Sequence, residues 1–167
     1  MTPIRIEARH GRVGVVGDTH SSGILPAWLL AGLGGVDVIL HAGDITEVAA
    51  LGPLEALAPV VWVKGNGDRL EGPTSRLLEI GGALICLMHG HVGEGRTARE
   101  RARRVTGADV VVYGHSHTAE IRREDGVLLV NPGSPSGRLG RPPSGALLQI
   151  AQQRSVTAVL FGPGGRM

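Results

Sequence analysis

Five times in this chain an apolar run stops on a residue that can grip a cation, and that recurrence favours folds that gather strand ends in one place. The first is Val13-Gly-Val-Val-Gly-Asp-Thr-His20, where valines at 13, 15 and 16 read as a short buried strand and Gly17 permits a tight turn. Val38-Ile-Leu-His-Ala-Gly-Asp44, Val60-Val-Trp-Val-Lys-Gly-Asn66, Leu84-Ile-Cys-Leu-Met-His89 and Val110-Val-Val-Tyr-Gly-His115-Ser-His117 repeat the theme. In an extended chain, residues two apart project to the same side, so Asp18 and His20 are expected to converge on one point.

Taken in order, residues 1–12 read as an irregular lead-in, and Ser21-Ser22-Gly23 as a loop. A helix is expected from Pro26 to about Leu33, ended by Gly34-Gly35, and a strand over 36–40. Thr46 is placed to cap a helix over Glu47–Leu57 that Gly52-Pro53 divides. Pro59 opens the third strand. Residues 75–80 and 83–88 then read as an antiparallel hairpin, 96–105 as a polar helix and 109–113 as a strand. Residues 119–124 and 127–131 pair around Asp125-Gly126, 132–144 form a long loop, and 145–150 pairs with 154–161 ahead of a loose Gly-Pro-Gly-Gly tail. Strand-helix units followed by hairpins predict a mixed α/β architecture of stacked sheets flanked by helices, with ligand groups beyond the carboxyl ends of the strands.

The 167 residues suit one domain, 1–167, with its core over about 13–161. Only four aromatics (Trp28, Trp62, Tyr113, Phe161) are available as stacking platforms for single-stranded nucleic acid. The single cysteine, Cys86, excludes a disulfide within the chain, and its apolar neighbours predict a buried thiol. No apolar stretch is long enough for a membrane span, and the start of the chain lacks a signal-peptide core, so a cytoplasmic protein is expected. Net charge is +2, and Lys64 is the only lysine, so charge alone does not argue for nucleic acid. The arginines of Arg96–Arg104 are expected to form a solvated helix face, with Glu100 pairing to Arg104.

Asp18, His20, Asp44, Asn66, His89, His115 and His117 make a set of nitrogen and oxygen donors that suits Mn, Fe, Co, Ni or Zn better than Mg or Ca. Gly17-Asp18-x-His20, Gly43-Asp44, Gly65-Asn66-x-Asp68, His89-Gly90-His91 and Gly114-His115-x-His117, in that order, closely resemble the calcineurin-like metallophosphoesterases. The length and Asn131-Pro-Gly-Ser134 resemble the small bacterial and archaeal phosphodiesterase branch, related to the retromer subunit Vps29. The resemblance implies a four-layer α-β-β-α sandwich, two mixed sheets flanked by helices, with two divalent metals at its edge. Manganese is the first expectation, with nickel, cobalt, iron, zinc or magnesium as alternatives. It assigns Asp18, His20 and His117 to one metal, Asn66, His89 and His115 to the other, and Asp44 to both.

Such a ligand set implies a metal-dependent phosphodiesterase in which a hydroxide bridging the metals attacks a small phosphodiester in line. Two divalent cations offset by Asp18, Asp44 and a hydroxide leave a surplus positive charge that a diester monoanion would neutralise. The alternatives are a Vps29-like non-catalytic scaffold and, less favoured because larger nuclease relatives carry extra domains, a nuclease. A homodimer or homotetramer stays open. Asp44 and Asn66 are the central catalytic candidates. His91 is either an acid or phosphate contact, or a group that orients the His89 loop. Asp68 either orients the Asn66 loop or closes its turn, whereas His41 and Asn131–Ser134 are expected to be structural.

Many members of this family carry a histidine directly after the metal-binding Asn, and the small branch often has cysteine; here the residue is Gly67. A side chain at that position therefore cannot protonate the leaving group. Rates across a series of aryl phosphodiesters are expected to rise as leaving-group pKa falls; a flat dependence with chemistry rate-limiting would contradict this.

Overall fold

The computed structural model describes residues 2–21 and 23–167, so Ser22 of the expected first loop lies outside the described residues. In chain order the elements are β1 (Ile4–Ile6), β2 (Arg12–Val16), α1 (Ala27–Gly32), β3 (Val38–His41), α2 (Gly52–Glu55), β4 (Val60–Trp62), β5 (Ser75–Ile80) and β6 (Ala83–Met88). They continue with α3 (Ala98–Arg103), β7 (Val110–Val112), β8 (Glu120–Glu124), β9 (Val127–Asn131), β10 (Gly145–Ile150), β11 (Val156–Gly162) and β12 (Gly165–Arg166). Two six-stranded sheets result, ordered β1-β5-β6-β7-β9-β8 and β12-β11-β10-β2-β3-β4. Both are mixed: β2, β3 and β4 run parallel, as do β6, β7 and β9, while the hairpins pair antiparallel.

Strand alternation explains the layering. Val13, Val15, Val38 and Leu40 of one sheet meet Ile85, Leu87, Val110, Val112 and Val130 of the other in the central core. The intervening residues point outward and are covered in turn. Ile39 packs under Leu29 of α1, Leu33 just beyond its end and Leu54 of α2, and Val111 and Leu129 pack under Ala98 and Ala102 of α3. The arrangement is the expected four layers, α-β-β-α. Each fully buried Leu, Ile or Val contributes roughly 1.5–3 kcal/mol by removal from water, and strands covered on both faces explain the continuous apolar runs.

Several local expectations are corrected. Residues 4–6 of the supposed lead-in form a strand, because Ile4, Arg5 and Ile6 pair in parallel with Leu78, Glu79 and Ile80. The glycine tail turns back at Gly164 and pairs Arg166 with Phe161 as β12. Thr46 does not cap a helix: it sits at φ 77°, the segment beginning after Glu47 is a single 3-10 turn over Val48–Leu51, and α2 adds four residues. α3 is shorter than 96–105. Its cap is Thr97, whose hydroxyl accepts from the Glu100 amide at 3.1 Å, while the Glu100 carboxylate accepts from the Arg96 amide at 2.7 Å. Glu100 thus pairs back to Arg96 (3.8 Å) and not on to Arg104, which faces Glu94 at 3.5 Å. Arg99 and Arg103 both reach Glu124 at 2.6 Å, so part of the arginine face is tied to β8. Cys86 is half-buried on the α3 side, and burial pushes its thiol pKa up.

One glycine fixes how close α1 comes to its sheet. A Cβ at Gly32 would lie 2.2 Å from the ring of Phe161, which is itself buried and stacked edge-on by Trp28. In a free helix Gly→Ala gains up to ~1 kcal/mol; here the added methyl would force the Phe161 ring to shift. Gly32→Ala is therefore expected to destabilise the protein by about 1–3 kcal/mol, the usual cost of overpacking, read as a lower urea midpoint.

Candidate metal centre

The carboxyl ends of β2, β3 and β4 from one sheet and of β6 and β7 from the other open on a common edge. Their loops are tied directly to one another. The Asp18 amide donates to Gly43 O (2.9 Å), the His20 amide to Asp44 O (2.9 Å) and the Gly114 amide to His89 O (3.1 Å). Gly65 passes so near the Asp44 loop that a Cβ there would sit 2.1 Å from Asp44 Oδ1. No other residue fits without opening the site.

Asp18 and His20 do converge, but not through an extended backbone. Asp18 (φ 49°), His20 (φ 44°), Asp44 (φ 54°), His115 (φ 69°) and His117 (φ 54°) are all left-handed. Non-glycine residues seldom adopt this conformation, and Asp, Asn and His are among those that tolerate it best. Strain concentrated in five donors marks a site whose shape is imposed by its surroundings.

Oxygen and nitrogen atoms of Asp18, His20, Asp44 and His117 all lie within 4.8 Å of one another. His20 Nε2 is 3.5 Å from Asp44 Oδ2 and 3.4 Å from His117 Nε2, which is 3.6 Å from Asp18 Oδ1. On the other oxygen of Asp44, Oδ1, His89 Nε2 stands at 3.5 Å. Asn66 Oδ1 is 3.0 Å from the same nitrogen, and the His115 ring is edge-on to His89 with centroids 5.1 Å apart. All seven expected donors are thus brought to one place. His91 borders them, 5.2 Å from the His89 ring.

The protonation pattern suits a cation. His89 Nδ1 lies 2.7 Å from Ala42 O, which only accepts, so Nδ1 carries the ring proton. Burial, ahead of the opposing pull of Asp44, lowers the His89 pKa to about 4, which leaves Nε2 bare at neutral pH. With the Asn66 amide oriented oxygen-inward, as it is here, Nε2, Asn66 Oδ1 and Asp44 Oδ1 face one another as lone pairs without a proton among them. His117 Nδ1 and His91 Nδ1 are likewise buried without a hydrogen-bond partner among the described residues. Burial is also the first cause of lowered pKa values at His20, His91 and His117. Burial, followed by the charge of Asp44, drives Asp18 the other way, up to about 8. Neutral imidazoles and crowded carboxylates are what a divalent ion stabilises.

Around these donors lies a supporting set that the sequence only partly disclosed. Asp68, one of two open readings, accepts from the amides of Asp44 (3.0 Å), Gly65 (2.8 Å) and Thr46 (2.7 Å), so it clamps two loops together and does more than close its own turn. His41 is structural, as expected: its Nδ1 accepts from the Gly43 amide, its Nε2 meets Thr19 Oγ1 at 3.1 Å, and burial lowers its pKa to about 3. Asn131 donates to Gly114 O and Ser116 Oγ, and Ser134 Oγ donates to Asp18 O at 2.7 Å. The only sequence signal for that last bond was the turn-like Asn-Pro-Gly-Ser run, since its partner is 116 residues away.

The comparisons with known proteins agree with this geometry. The sequence model described as the calcineurin-like phosphoesterase superfamily domain matches residues 12–153. A probable metallophosphoesterase of Methanothermobacter thermautotrophicus is 40% identical over 147 residues, covering 83% of this chain and 85% of that protein. A phosphodiesterase of Methanocaldococcus jannaschii is 28% identical over 89% of this chain and 99% of its own. Among solved structures, Vps29 of Entamoeba histolytica complexed with zinc superposes with a TM-score of 0.76 at 28% identity, over 93% of this chain and 96% of that one.

The raised Asp18 pKa makes the metal-free protein sensitive to pH. Between the unfolded carboxyl value of 3.8 and the folded value of about 8, the folded state holds a proton that the unfolded chain has released. Stability from this group therefore falls as pH rises through that window. The depressed histidines act oppositely, but only below their unfolded value of 6.5. From pH 6.5 to 8 metal-free protein is expected to lose stability, by at most about 1.4 kcal/mol per pH unit, and Asp18→Asn to flatten the slope in denaturant titrations.

Proposed function

The chain belongs to the calcineurin-like phosphoesterase superfamily, and on that premise we propose that it is a metal-dependent phosphodiesterase acting on a small phosphodiester. The observation that carries the reading is the position of Asp44, whose Oδ2 and Oδ1 each stand 3.5 Å from a different imidazole, His20 and His89. One carboxylate presenting separate oxygens to two donor groups suits a bridge between two cations. In this reading Asp18, His20 and His117 hold one metal and Asn66, His89 and His115 the other, manganese being the first candidate. A pair of divalent ions supplies a hydroxide nucleophile at neutral pH and neutralises charge on the phosphoryl group.

The remaining work falls to the chain itself. His89 offers a bare Nε2 because Ala42 O holds the proton on Nδ1. The Gly67 amide donates to Asp44 Oδ1 at 2.7 Å and keeps that carboxylate from rotating. A Cβ at position 67 would lie 3.1 Å from the same oxygen, so the position faces the site, and its lack of a side chain leaves proton donation to another group. His91 is the candidate by position: it borders His89 and His115, and its Nδ1 is unpartnered among the described residues. That His91 Nδ1 makes no hydrogen bond among the described residues supports the acid or phosphate-contact role over the orienting one.

A second reading, a non-catalytic interaction scaffold, is supported by the likeness to Vps29. Zinc in the Entamoeba histolytica structure means that metal binding alone does not separate the two readings. Turnover does. Protein loaded with Mn, Co, Ni or Mg is expected to hydrolyse an aryl phosphodiester, and Asp44→Asn to lower kcat at least about 100-fold while circular dichroism and the metal-free melting point stay close to the parent. No metal-stimulated hydrolysis by the parent protein would remove the enzymatic reading in favour of the scaffold.

A further inference from the structure

Beside His20 a cavity of about 280 Å3 opens between two segments of chain that the donor set does not use. Ile24, Leu25 and Pro26 form one wall, and Pro135 and Ser136 form the other. Its size falls just below the roughly 300 Å3 at which drug-sized pockets begin, enough for a single ring or a short aliphatic group. Four apolar residues, Ile24, Leu25, Pro26 and Pro135, share the lining with Thr19, His20, Ser21 and Ser136, and His20 joins it to the metal centre.

Both bordering segments leave large apolar side chains in water. Ile24 is 87% exposed and Leu139, three residues beyond Ser136, is 80% exposed, the two highest values for large hydrophobics among the described residues. A single exposed apolar residue needs no explanation, but two in the segments that frame one cavity suggest a surface that is covered when a ligand is present.

Resting on the phosphodiesterase reading above, we infer that this cleft receives one organic substituent of the ester, an aryl or similarly sized apolar group. Specificity then comes from the size of that substituent. A ring fits between Ile24 and Pro135, whereas a methyl group leaves both walls wet. The missing side chain at position 67 favours good leaving groups, and an aryl alcohol is one, so the cleft and the chemistry select the same class of substrate.

Binding measured without turnover tests this. Manganese-loaded protein is titrated calorimetrically with phenylphosphonate and with methylphosphonate. Phenylphosphonate is expected to bind about tenfold tighter, the value of burying part of a ring. Ser136→Trp, which fills the cleft, and Ile24→Ala, which removes a wall, are each expected to bring the ratio towards one. Equal binding of the two phosphonates by the parent protein would overturn the cleft while leaving the metal centre intact. Binding of neither phosphonate would overturn the phosphoryl site of the reading above, and the cleft with it.

Discussion

The site depends on the closeness of two backbones. Where the Gly65 turn meets the Asp44 loop there is no space for a Cβ, and Asp68 closes the junction by accepting three amide protons from both sides of it. Those bonds satisfy donors that would otherwise be buried and unpaired, each at a cost of about 1–3 kcal/mol. They also fix Asp44 relative to Asn66, and the geometry of the whole donor set rests on that spacing. Strong pairing of this kind explains how two carboxylates, Asp18 and Asp44, come to be buried near each other without a lysine or arginine between them. The backbone sets their positions, and burial first, then the charge of Asp44, raises the pKa of Asp18.

Left-handed residues extend the same logic. Five donors adopt a conformation that most side chains avoid, and each of three turns is anchored by a neighbouring loop: Asp18 by the Gly43 carbonyl, His20 by the Asp44 carbonyl, His115 by the Asp18 carboxylate at 2.9 Å. The loops therefore hold one another in place before any ligand arrives, which is preorganisation in the sense used for binding and catalysis. Burial, which lowers the imidazole pKa values of His20, His89 and His117, adds nitrogen donors suited to a cation.

Much of this was legible in the sequence because the relevant signals are local. A valine run ending in Gly-Asp, or a Gly-His-x-His sequence, states both the strand and the donor, and the central hairpin at 75–88 falls where Gly81-Gly82 places it. The signals that failed are those whose partner lies elsewhere. β1 exists only because β5 offers an open edge to Ile4–Ile6, and β12 only because β11 does the same for Arg166. Thr46 has the residue type of a cap, but its amide is taken by Asp68 and the chain turns left-handed there. Extended geometry alone would align Asp18 with His20, whereas the turn that aligns them is dictated by a loop more than twenty residues downstream. Ser134, bonded across 116 residues, had no local sign beyond its turn-like run.

The strands at the margins bear on how the molecule meets others of its kind. One sheet ends on three-residue β4 and two-residue β12, and the other on three-residue β1 and on β8, whose sequence Glu-Ile-Arg-Arg-Glu is almost wholly charged. Another molecule arriving to lengthen either ladder would find room for only a few main-chain bonds, or would have to bury guanidinium and carboxylate groups to make them. Short and ionic rims of this sort guard a β-rich chain against fibrous self-association, so the same segments that escape notice in the sequence oppose aggregation when the protein is concentrated.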